Sequence, residues 1–172
     1  PGLVGERFIY EGQRTVPLIH QRISGSPSCA YGHDFNPSLL DEKGDFVFFG
    51  PFLQYLSSAT GSAVKWTLEN RSDNPGIQDG DIFLTNDPWV GATHQSDVAL
   101  ISPIFWEGEL FCWVGNTLHQ WDLGGTAPGG FNPMAEDIYW ESGCIPPIKI
   151  VEQGRLRKDP EDRPSLQEIL DS

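Results

Sequence analysis

The amino-acid sequence predicts a mixed α+β domain that is rich in strands. The chain has 172 residues, of which 38% are hydrophobic and 12% aromatic, a composition typical of folded globular proteins. Its 19 glycines and 14 prolines indicate short strands joined by many turns, which argues against a helical bundle. Two apolar runs, at residues 98–105 and 110–118, predict a central hairpin. We therefore expect central hairpin strands, one main helix and many loops rich in glycine and proline.

The chain divides into three parts. Residues 1–27 show no periodicity and predict an extended arm, in which His20 is interpreted as a structural histidine. Residues 28–158 form the predicted core segment. Residues 159–172 are charged and predict a tail with a short helix at 165–170.

The core segment is predicted to begin with a β-hairpin. Aromatic and β-branched residues at 28–35 and 45–49 predict its strands, and Asp-Glu-Lys-Gly at 41–44 predicts its turn. His33 and Asp34 are adjacent in the first strand, so their side chains would point to opposite faces. We interpret this pair as structural rather than as part of a metal site.

One helix is predicted at residues 52–70, where apolar residues such as Leu56 and Val64 recur near a 3.6-residue period. We expect this apolar face to pack on the strands. Gly61 is unfavourable there, because glycine in a helix interior costs about 1 kcal/mol relative to alanine. A dense cluster of turn residues at 71–81 closes the helix.

The second half of the core segment is predicted to be mostly strand. A short strand at 82–85 is ended by Pro88, and a loop at 89–96 follows. The runs at 98–105 and 110–118 are apolar at nearly every position. We therefore expect both to be central strands with both faces covered.

A glycine-rich loop follows the hairpin at residues 124–133. It lacks the Gly-Lys-Ser/Thr end of a P-loop and the strand-to-helix frame of a dinucleotide motif, which excludes nucleotide binding there. A mobile lid over the site and an ordinary surface loop both stay open as interpretations.

Charge and cysteine content exclude several classes of partner. The chain has 11 basic and 24 acidic residues, and its net charge of −13 would repel nucleic acid. No run approaches the ~18 apolar residues that cross a membrane, so we expect a soluble protein. Cys29, Cys112 and Cys144 form no Cys-x-x-Cys pair, which disfavours disulfides and a thiolate zinc site. These features favour a reducing, cytoplasmic location.

Two His-x-x-Asp units, His94/Asp97 and His119/Asp122, frame the predicted hairpin. A three-residue loop centred on Gly108 would set Asp97 opposite His119, with Cβ atoms about 4.5–5.5 Å apart. A two-residue turn would shift the register by one residue and would then require a bulge. His94 lies three residues before Asp97 and can reach the same point.

These side chains suit a catalytic metal site. Two imidazoles and one carboxylate leave coordination positions open, whereas a closed structural site uses four protein ligands. Nitrogen and oxygen donors suit manganese, iron(II) or zinc. Asp122 would orient a histidine through its far nitrogen, and Asp87 would do the same or cap the loop. Buried His/Asp pairs are also common hydrogen-bond partners, so spacing alone leaves a structural interpretation open.

Several longer motifs occur in order along the chain. They read Leu-Thr-Asn-Asp-Pro, Gly-Ala-Thr-His-Gln-Ser-Asp-Val and Asn-Thr-Leu-His-Gln-Trp-Asp-Leu-Gly-Gly. With them, residues 28–158 resemble the hydantoinase B family, which includes N-methylhydantoinase B subunits, half of 5-oxoprolinase and the large subunits of ATP-dependent ketone carboxylases. Phe-Trp-Glu-Gly and His-Gln-Trp-Asp-Leu-Gly-Gly are most similar to the acetone and acetophenone carboxylase branch. The chain is far shorter than a subunit of that family, so we expect one segment of it.

The resemblance implies a divalent metal, manganese in acetone carboxylase, on His94, Asp97 and His119. It also implies a hydantoinase A-like partner subunit that binds ATP, further carboxylase subunits, and a small ketone and bicarbonate as substrates.

The activity implied by the resemblance is carboxylation of an activated ketone, an enol phosphate or enolate, at this metal. Aromatic side chains would exclude water from the site, and core packing is their alternative role, the favoured one for Trp113; these residues are Trp89, Trp113, Trp121 and Phe131. Two other functions stay open: a cyclic amide hydrolase of the hydantoinase or 5-oxoprolinase type, and a non-catalytic assembly segment. The sequence does not specify the ketone or the cyclic amide.

Overall fold

The computed structural model describes residues 18–19 and 21–157. Its elements, in chain order, are α1 (Pro27–Gly32), β1 (Phe35–Asp41), β2 (Phe46–Phe49), α2 (Gln54–Arg71), an irregular turn (Ser72–Gly76), β3 (Ile82–Thr85), β4 (Asp97–Trp106), β5 (Glu109–His119), a 3₁₀ turn (Ile138–Trp140), β6 (Ile148–Glu152) and β7 (Arg155–Leu156). The predicted α+β class, rich in strands with one main helix, is confirmed. Within the described ranges, no helix combines the length and apolar character needed to cross a membrane.

The two predicted terminal segments fall largely outside this description. The predicted tail at 159–172 lies outside the described residues, as do residues 1–17 and His20 of the predicted arm. In the part of the arm that is described, residues 18–19 and 21–23 are helical.

The strands form one antiparallel sheet of seven strands in the order β2-β1-β5-β4-β3-β6-β7. β4 and β5 are therefore central, as predicted from their apolar runs. A central strand is held by ladder hydrogen bonds on both edges, which fixes residues at its ends more firmly than an edge strand does.

The β4–β5 hairpin turns through two residues and contains a bulge. Glu107 and Gly108 both have positive φ, 53° and 86°, as a type I′ turn requires. One register shift follows, with Phe111 as the extra residue of β5, and beyond it Asp97 pairs with His119. The predicted pairing is confirmed. The predicted three-residue loop is wrong, because the turn has two residues. The bulge then restores the register that the longer loop would have given.

α2 packs on one face of the sheet, as predicted, and begins two residues later than expected. The buried core between α2 and the sheet consists of Leu40, Ala63, Val64, Phe83, Ile101 and Trp113. Trp113 is 0% exposed and packs beside Phe83, with ring centroids 6.5 Å apart. Trp113 therefore belongs to the core, the role that the sequence analysis favoured for it over a wall of the site.

Two glycines allow α2 to lie close to the sheet. A Cβ on Gly115 of β5 would lie 2.2 Å from Cγ2 of Thr60, and one on Gly61 would lie 2.8 Å from the Phe46 ring. Such distances are well inside van der Waals contact. Gly61, unfavourable by helix propensity, is thus explained by the ring that packs against it.

The opposite face of the sheet is partly open. Ile104 is 38% exposed and Val114 is 44% exposed on that face. The expectation that both faces are covered is wrong over the described residues. An apolar run predicts buried faces without indicating which chain segment covers them.

The first predicted strand, at 28–35, is also wrong. Pro27 stands at the start of α1, where its fixed φ favours a helix, and His33 ends that helix at a φ of 55°. β1 begins only at Phe35 and continues through Asn-Pro-Ser, two polar residues and a proline that are unfavourable in a strand and concealed it. The predicted turn and second strand are confirmed, because β2 pairs with β1 across that turn.

Candidate metal centre

The centre lies where the two central strands end together. Asp97 is the first residue of β4 and His119 is the last residue of β5, and the two are paired. Asp97 is 0% exposed and His119 is 9% exposed. The backbone N–H of His119 donates to the Asp34 carbonyl at 3.0 Å, and that of Gln120 donates to the Ser96 carbonyl at 2.7 Å. These bonds hold the strand ends in place.

His94 reaches the same point from the preceding loop. The Asp97 N–H donates to the His94 carbonyl at 3.0 Å, which curls residues 94–97 into a turn. The Ser96 N–H donates to Nδ1 of His94 at 3.2 Å, and Nε2 then lies 3.7 Å from Oδ2 of Asp97. The His94 and His119 rings meet edge to face, with centroids 4.9 Å apart. One ligand atom from each of the three residues lies within 4.8 Å of the others.

Two atoms of this cluster are suited to a cation. Oδ1 of Asp97 and Nδ1 of His119 are buried and have no hydrogen-bond partner among the described residues. Burying a polar atom without a partner costs about 1–3 kcal/mol, and ligation of a cation removes that cost. The nitrogen and oxygen donors fit manganese, iron(II) or zinc. The three residues therefore fit a divalent metal.

Thr93 supports the carboxylate of the centre, and sequence reasoning missed it. Its hydroxyl donates to Oδ2 of Asp97, the oxygen that lies 3.7 Å from Nε2 of His94, and so fixes the orientation of the carboxylate. Burial raises the pKa of Asp97, and the Thr93 hydroxyl and the two histidines oppose that shift. The available signal was the Thr-His-Gln-Ser-Asp run, which sets a hydroxyl four residues before the carboxylate.

Tyr55, on the first turn of α2, is a second residue that the sequence did not indicate. Its hydroxyl donates to Oδ1 of Asp34 at 3.4 Å. Burial and the nearby carboxylates of Asp34 and Asp97 raise the pKa of Tyr55 to about 12, so the phenol stays neutral. Only the fold brings this residue near the centre. The structural interpretation of His33 is supported, since its ring stacks on Phe52 at 5.0 Å.

Asp87 and Asp122 both organise loops. Oδ1 of Asp87 accepts from the Trp89 N–H at 2.8 Å, which is the loop cap that the sequence allowed. The Asp122 carboxylate accepts from the N–H groups of Gly124 and Gly129, at 2.8 and 3.1 Å, and these bonds lower its pKa. Both oxygens of Asp122 thus contact the glycine-rich loop. That either residue orients a histidine stays a prediction.

The glycine-rich loop lies against the centre. The Phe131 ring meets the His94 ring edge-on, with centroids 5.9 Å apart. A Cβ on Gly130 would lie 3.1 Å from the Ser96 hydroxyl, and its φ is 67°. This contact supports the lid, one of the two interpretations that the sequence left open, and movement of the loop stays a prediction.

A buried thiol packs behind the centre. Cys29 is 0% exposed, and its single S–H is shared between the His119 and Asp34 carbonyls, which lie 3.2 and 3.3 Å from Sγ. Burial raises the pKa of this thiol, which keeps it protonated as a donor. All three cysteines are free, as the absence of paired spacing predicted.

Comparison with known proteins gives the family. The model of the Hydantoinase B/oxoprolinase family matches residues 13–163. The chain belongs to this family. The resemblance inferred from the motifs is therefore confirmed.

Relatives within the family include enzymes of two chemistries. The caprolactamase β subunit of Pseudomonas jessenii is 32% identical over 147 residues, covering 86% of this chain and 25% of that protein. The acetone carboxylase α subunit of Xanthobacter autotrophicus is 36% identical over 110 residues, covering 63% of this chain and 14% of that protein. The 5-oxoprolinase 1 of Arabidopsis thaliana is 31% identical over 139 residues, covering 81% of this chain and 11% of that protein. The chain thus spans a quarter or less of these curated relatives.

Two solved structures share the fold. A nucleotide-free acetone carboxylase superposes with a TM-score of 0.82 and 30% identity, covering 91% of this chain and 21% of that chain. The ATP-dependent caprolactamase of Pseudomonas jessenii gives a TM-score of 0.69 and 28% identity, covering 91% of this chain and 27% of that chain.

Proposed function

We propose that this chain is a segment of a hydantoinase B-like subunit of an ATP-dependent ketone carboxylase and supplies its metal centre. The single observation that carries the proposal is the cluster of His94, Asp97 and His119 with two buried, unpartnered donor atoms. The superposition on acetone carboxylase, with a TM-score of 0.82, supports the carboxylase branch.

The donor set favours catalysis over a structural role. Three protein ligands leave positions for substrate, whereas structural sites close with four. A bound divalent cation, manganese by the resemblance and zinc or iron(II) by the donor set, would supply Lewis-acid polarisation and a fixed template for the two reactants.

The chain's own residues prepare this site for an activated ketone and bicarbonate-derived carbon dioxide. Thr93 orients the Asp97 carboxylate, and the neutral phenol of Tyr55 donates to the nearby Asp34 carboxylate. Phe131 covers one edge of His94 and, with Trp121 beside the same loop, would exclude water that could protonate an enolate. ATP would bind on a hydantoinase A-like partner subunit, and further carboxylase subunits would complete the enzyme.

A cyclic amide hydrolase is the second candidate. The caprolactamase and 5-oxoprolinase relatives support it, since they match 86% and 81% of this chain. The same open site would then direct water to a lactam carbonyl. An assembly segment without catalysis is the third candidate, and the His119 variant described in the Discussion tests it.

The test is a substrate panel for the assembled enzyme. ATP hydrolysis is measured with acetone, acetophenone, caprolactam and 5-oxoproline, each with and without labelled bicarbonate. We expect ATP use with a ketone and label in an acid-stable carboxylate. ATP use with a lactam, without label in any ketone, would contradict the carboxylase proposal and support the hydrolase. Metal analysis of the same preparation identifies the cation, and chelation followed by re-addition of Mn²⁺, Zn²⁺ or Fe²⁺ tests its requirement.

A further inference from the structure

An open cleft lies between α2 and the loop at residues 88–93. Its volume is about 440 Å³, within the range of about 300–1,000 Å³ typical of small-molecule sites. The residues that form its walls include Tyr55, Ser58 and Ser62 from α2, and Trp89, Val90 and Thr93 from the loop.

Two of these lining residues connect the cleft to the metal centre. The Thr93 hydroxyl donates to the Asp97 carboxylate. The Tyr55 hydroxyl donates to Asp34, whose backbone carbonyl accepts from the His119 N–H at 3.0 Å. Thr93 of the loop wall therefore contacts one metal ligand directly, and Tyr55 of the helix wall is linked to another through Asp34.

The cleft is preformed. A Cβ on Gly91 would lie 2.5 Å from the Ala59 carbonyl oxygen and 2.7 Å from the Ala63 nitrogen, so the loop backbone packs directly on the helix. Asp87 caps the start of this loop through the Trp89 N–H. A wall fixed in this way needs little ordering when a ligand binds.

The chemistry of the walls defines the ligand. Tyr55 is 48% exposed and Trp89 is 72% exposed, so each wall presents an aromatic ring. The Ser62 hydroxyl donates to the Ser58 carbonyl within α2. No charged side chain lines the described cleft. A planar, uncharged group suits such a surface, whereas a carboxylate would be desolvated without a cationic partner.

We propose that this cleft binds the ring of a neutral, ring-bearing carbonyl substrate whose reacting carbonyl lies at the metal centre. The proposal deepens the proposed function and rests on it for the identity of the reacting centre. Acetophenone and caprolactam fit this class. Acetone would leave most of the cleft empty, and 5-oxoproline carries a carboxylate that the walls do not match.

The test uses binding rather than turnover. The full-length protein is loaded with Mn²⁺ or with diamagnetic Zn²⁺, without ATP or bicarbonate, and proton relaxation of acetophenone is measured. We expect faster relaxation of the ring protons in the Mn²⁺ form. Trp89→Ala should weaken acetophenone binding about tenfold while metal content and acetone binding stay unchanged. Trp106→Ala is the matched control, since Trp106 is 68% exposed at the far end of the hairpin, and it should change nothing.

The outcomes separate the two proposals. Ring protons that relax equally in both metal forms, or a Trp89→Ala variant that binds acetophenone as well as the wild type does, would overturn the cleft proposal. Tighter binding of 5-oxoproline than of acetophenone would also overturn it. Failure of the enzyme to carboxylate any ketone would contradict the proposed function alone, because the Trp89-dependent binding of the ring does not require turnover.

Discussion

The two ends of the β4–β5 hairpin are built in opposite ways. At one end Asp97 and His119 are 0% and 9% exposed, whereas at the other end Trp106 and Phe111 are 68% and 63% exposed. The buried end is tied by bonds to neighbouring segments, including the 2.7 Å hydrogen bond between the Thr60 and Thr117 hydroxyls. The exposed end contains the turn and the bulge.

This difference shows where the hairpin places its irregularity. A two-residue turn alone would set Asp97 one residue out of step with His119, and their side chains would then leave opposite faces of the sheet. The bulge at Phe111 corrects the register near solvent, where an unpaired residue costs little. The pairing at the metal end stays regular as a result.

Removing one ligand from the buried end should have the largest effect. His119→Ala is expected to abolish metal binding and turnover, since two ligands cannot replace the three that converge here. Metal content, activity and size-exclusion elution of the assembled enzyme are measured together. His33→Asn is the matched control: it removes an imidazole outside the centre, and asparagine tolerates the positive φ at that position.

The same variant separates catalysis from assembly. An intact complex that is metal-free and inactive supports a catalytic centre. Loss of assembly together with loss of metal would support the structural role, because a metal coupled to folding contributes folding free energy. An intact, metal-free and fully active complex would rule out the metal hypothesis for all three ligands.

The middle of the hairpin should be the next most sensitive region. Gly115→Ala would place a Cβ 2.2 Å from Cγ2 of Thr60, so we expect the free energy of unfolding to fall by about 2 kcal/mol through overpacking. Urea denaturation measures this. Adding Thr60→Ser removes that methyl group and should restore most of the stability, whereas Gly32→Ala, with open space around its Cβ, should have little effect. Equal losses at Gly115 and Gly32 would contradict the close approach of α2.

The Thr93 hydroxyl, which supports Asp97, should affect metal affinity less than a metal ligand does. Thr93→Val removes the hydroxyl at nearly constant volume and should weaken Mn²⁺ binding about tenfold, as expected when a group that orients a metal ligand is lost. Titration followed by electron paramagnetic resonance gives the dissociation constant. Thr93→Ser keeps the hydroxyl and should bind as the wild type does. A serine variant as weak as the valine variant would mean that packing, and not the hydrogen bond, is responsible.

The turn end of the hairpin should tolerate sequence changes better than the other regions. Deleting Phe111 removes the unpaired residue and leaves the pairing of Asp97 with His119 in place, so we expect unchanged Mn²⁺ affinity. Deleting Asn116, which lies between the bulge and the centre, should shift His119 by one residue and abolish binding. Equal loss of affinity in the two deletions would show that the bulge does more than adjust register.

Local sequence patterns predicted the central part of this structure well. The apolar runs predicted the central strands, and counting from a three-residue loop gave the Asp97–His119 pairing, which the two-residue turn reaches through the bulge. His94 followed from its spacing to Asp97. These features depend on short separations in sequence or on one hairpin, which is where pattern arguments are strongest.

The missed features depend on contacts between distant segments. Tyr55 lies near the centre only because α2 crosses the sheet there, and no helical pattern distinguishes it from other exposed residues. Pro27 favours α1 because its fixed φ suits the first turn of a helix. The aromatic residues at 28–35 had instead favoured a strand. Gly61 and Gly115 were explained only by the side chains that they face.

One amide side chain closes part of this molecule into a ring. Nδ2 of Asn86 donates to the Gln95 carbonyl at 3.0 Å and to the Gly143 carbonyl at 2.9 Å, and its Oδ1 accepts from the Ile145 N–H at 2.7 Å. The two ends of residues 87–95 are thereby clamped at one point, whatever lies between them. This clamped segment contains both His94 of the metal centre and the loop wall of the cleft. Loss of the Asn86 amide would therefore release the loop wall and His94 together.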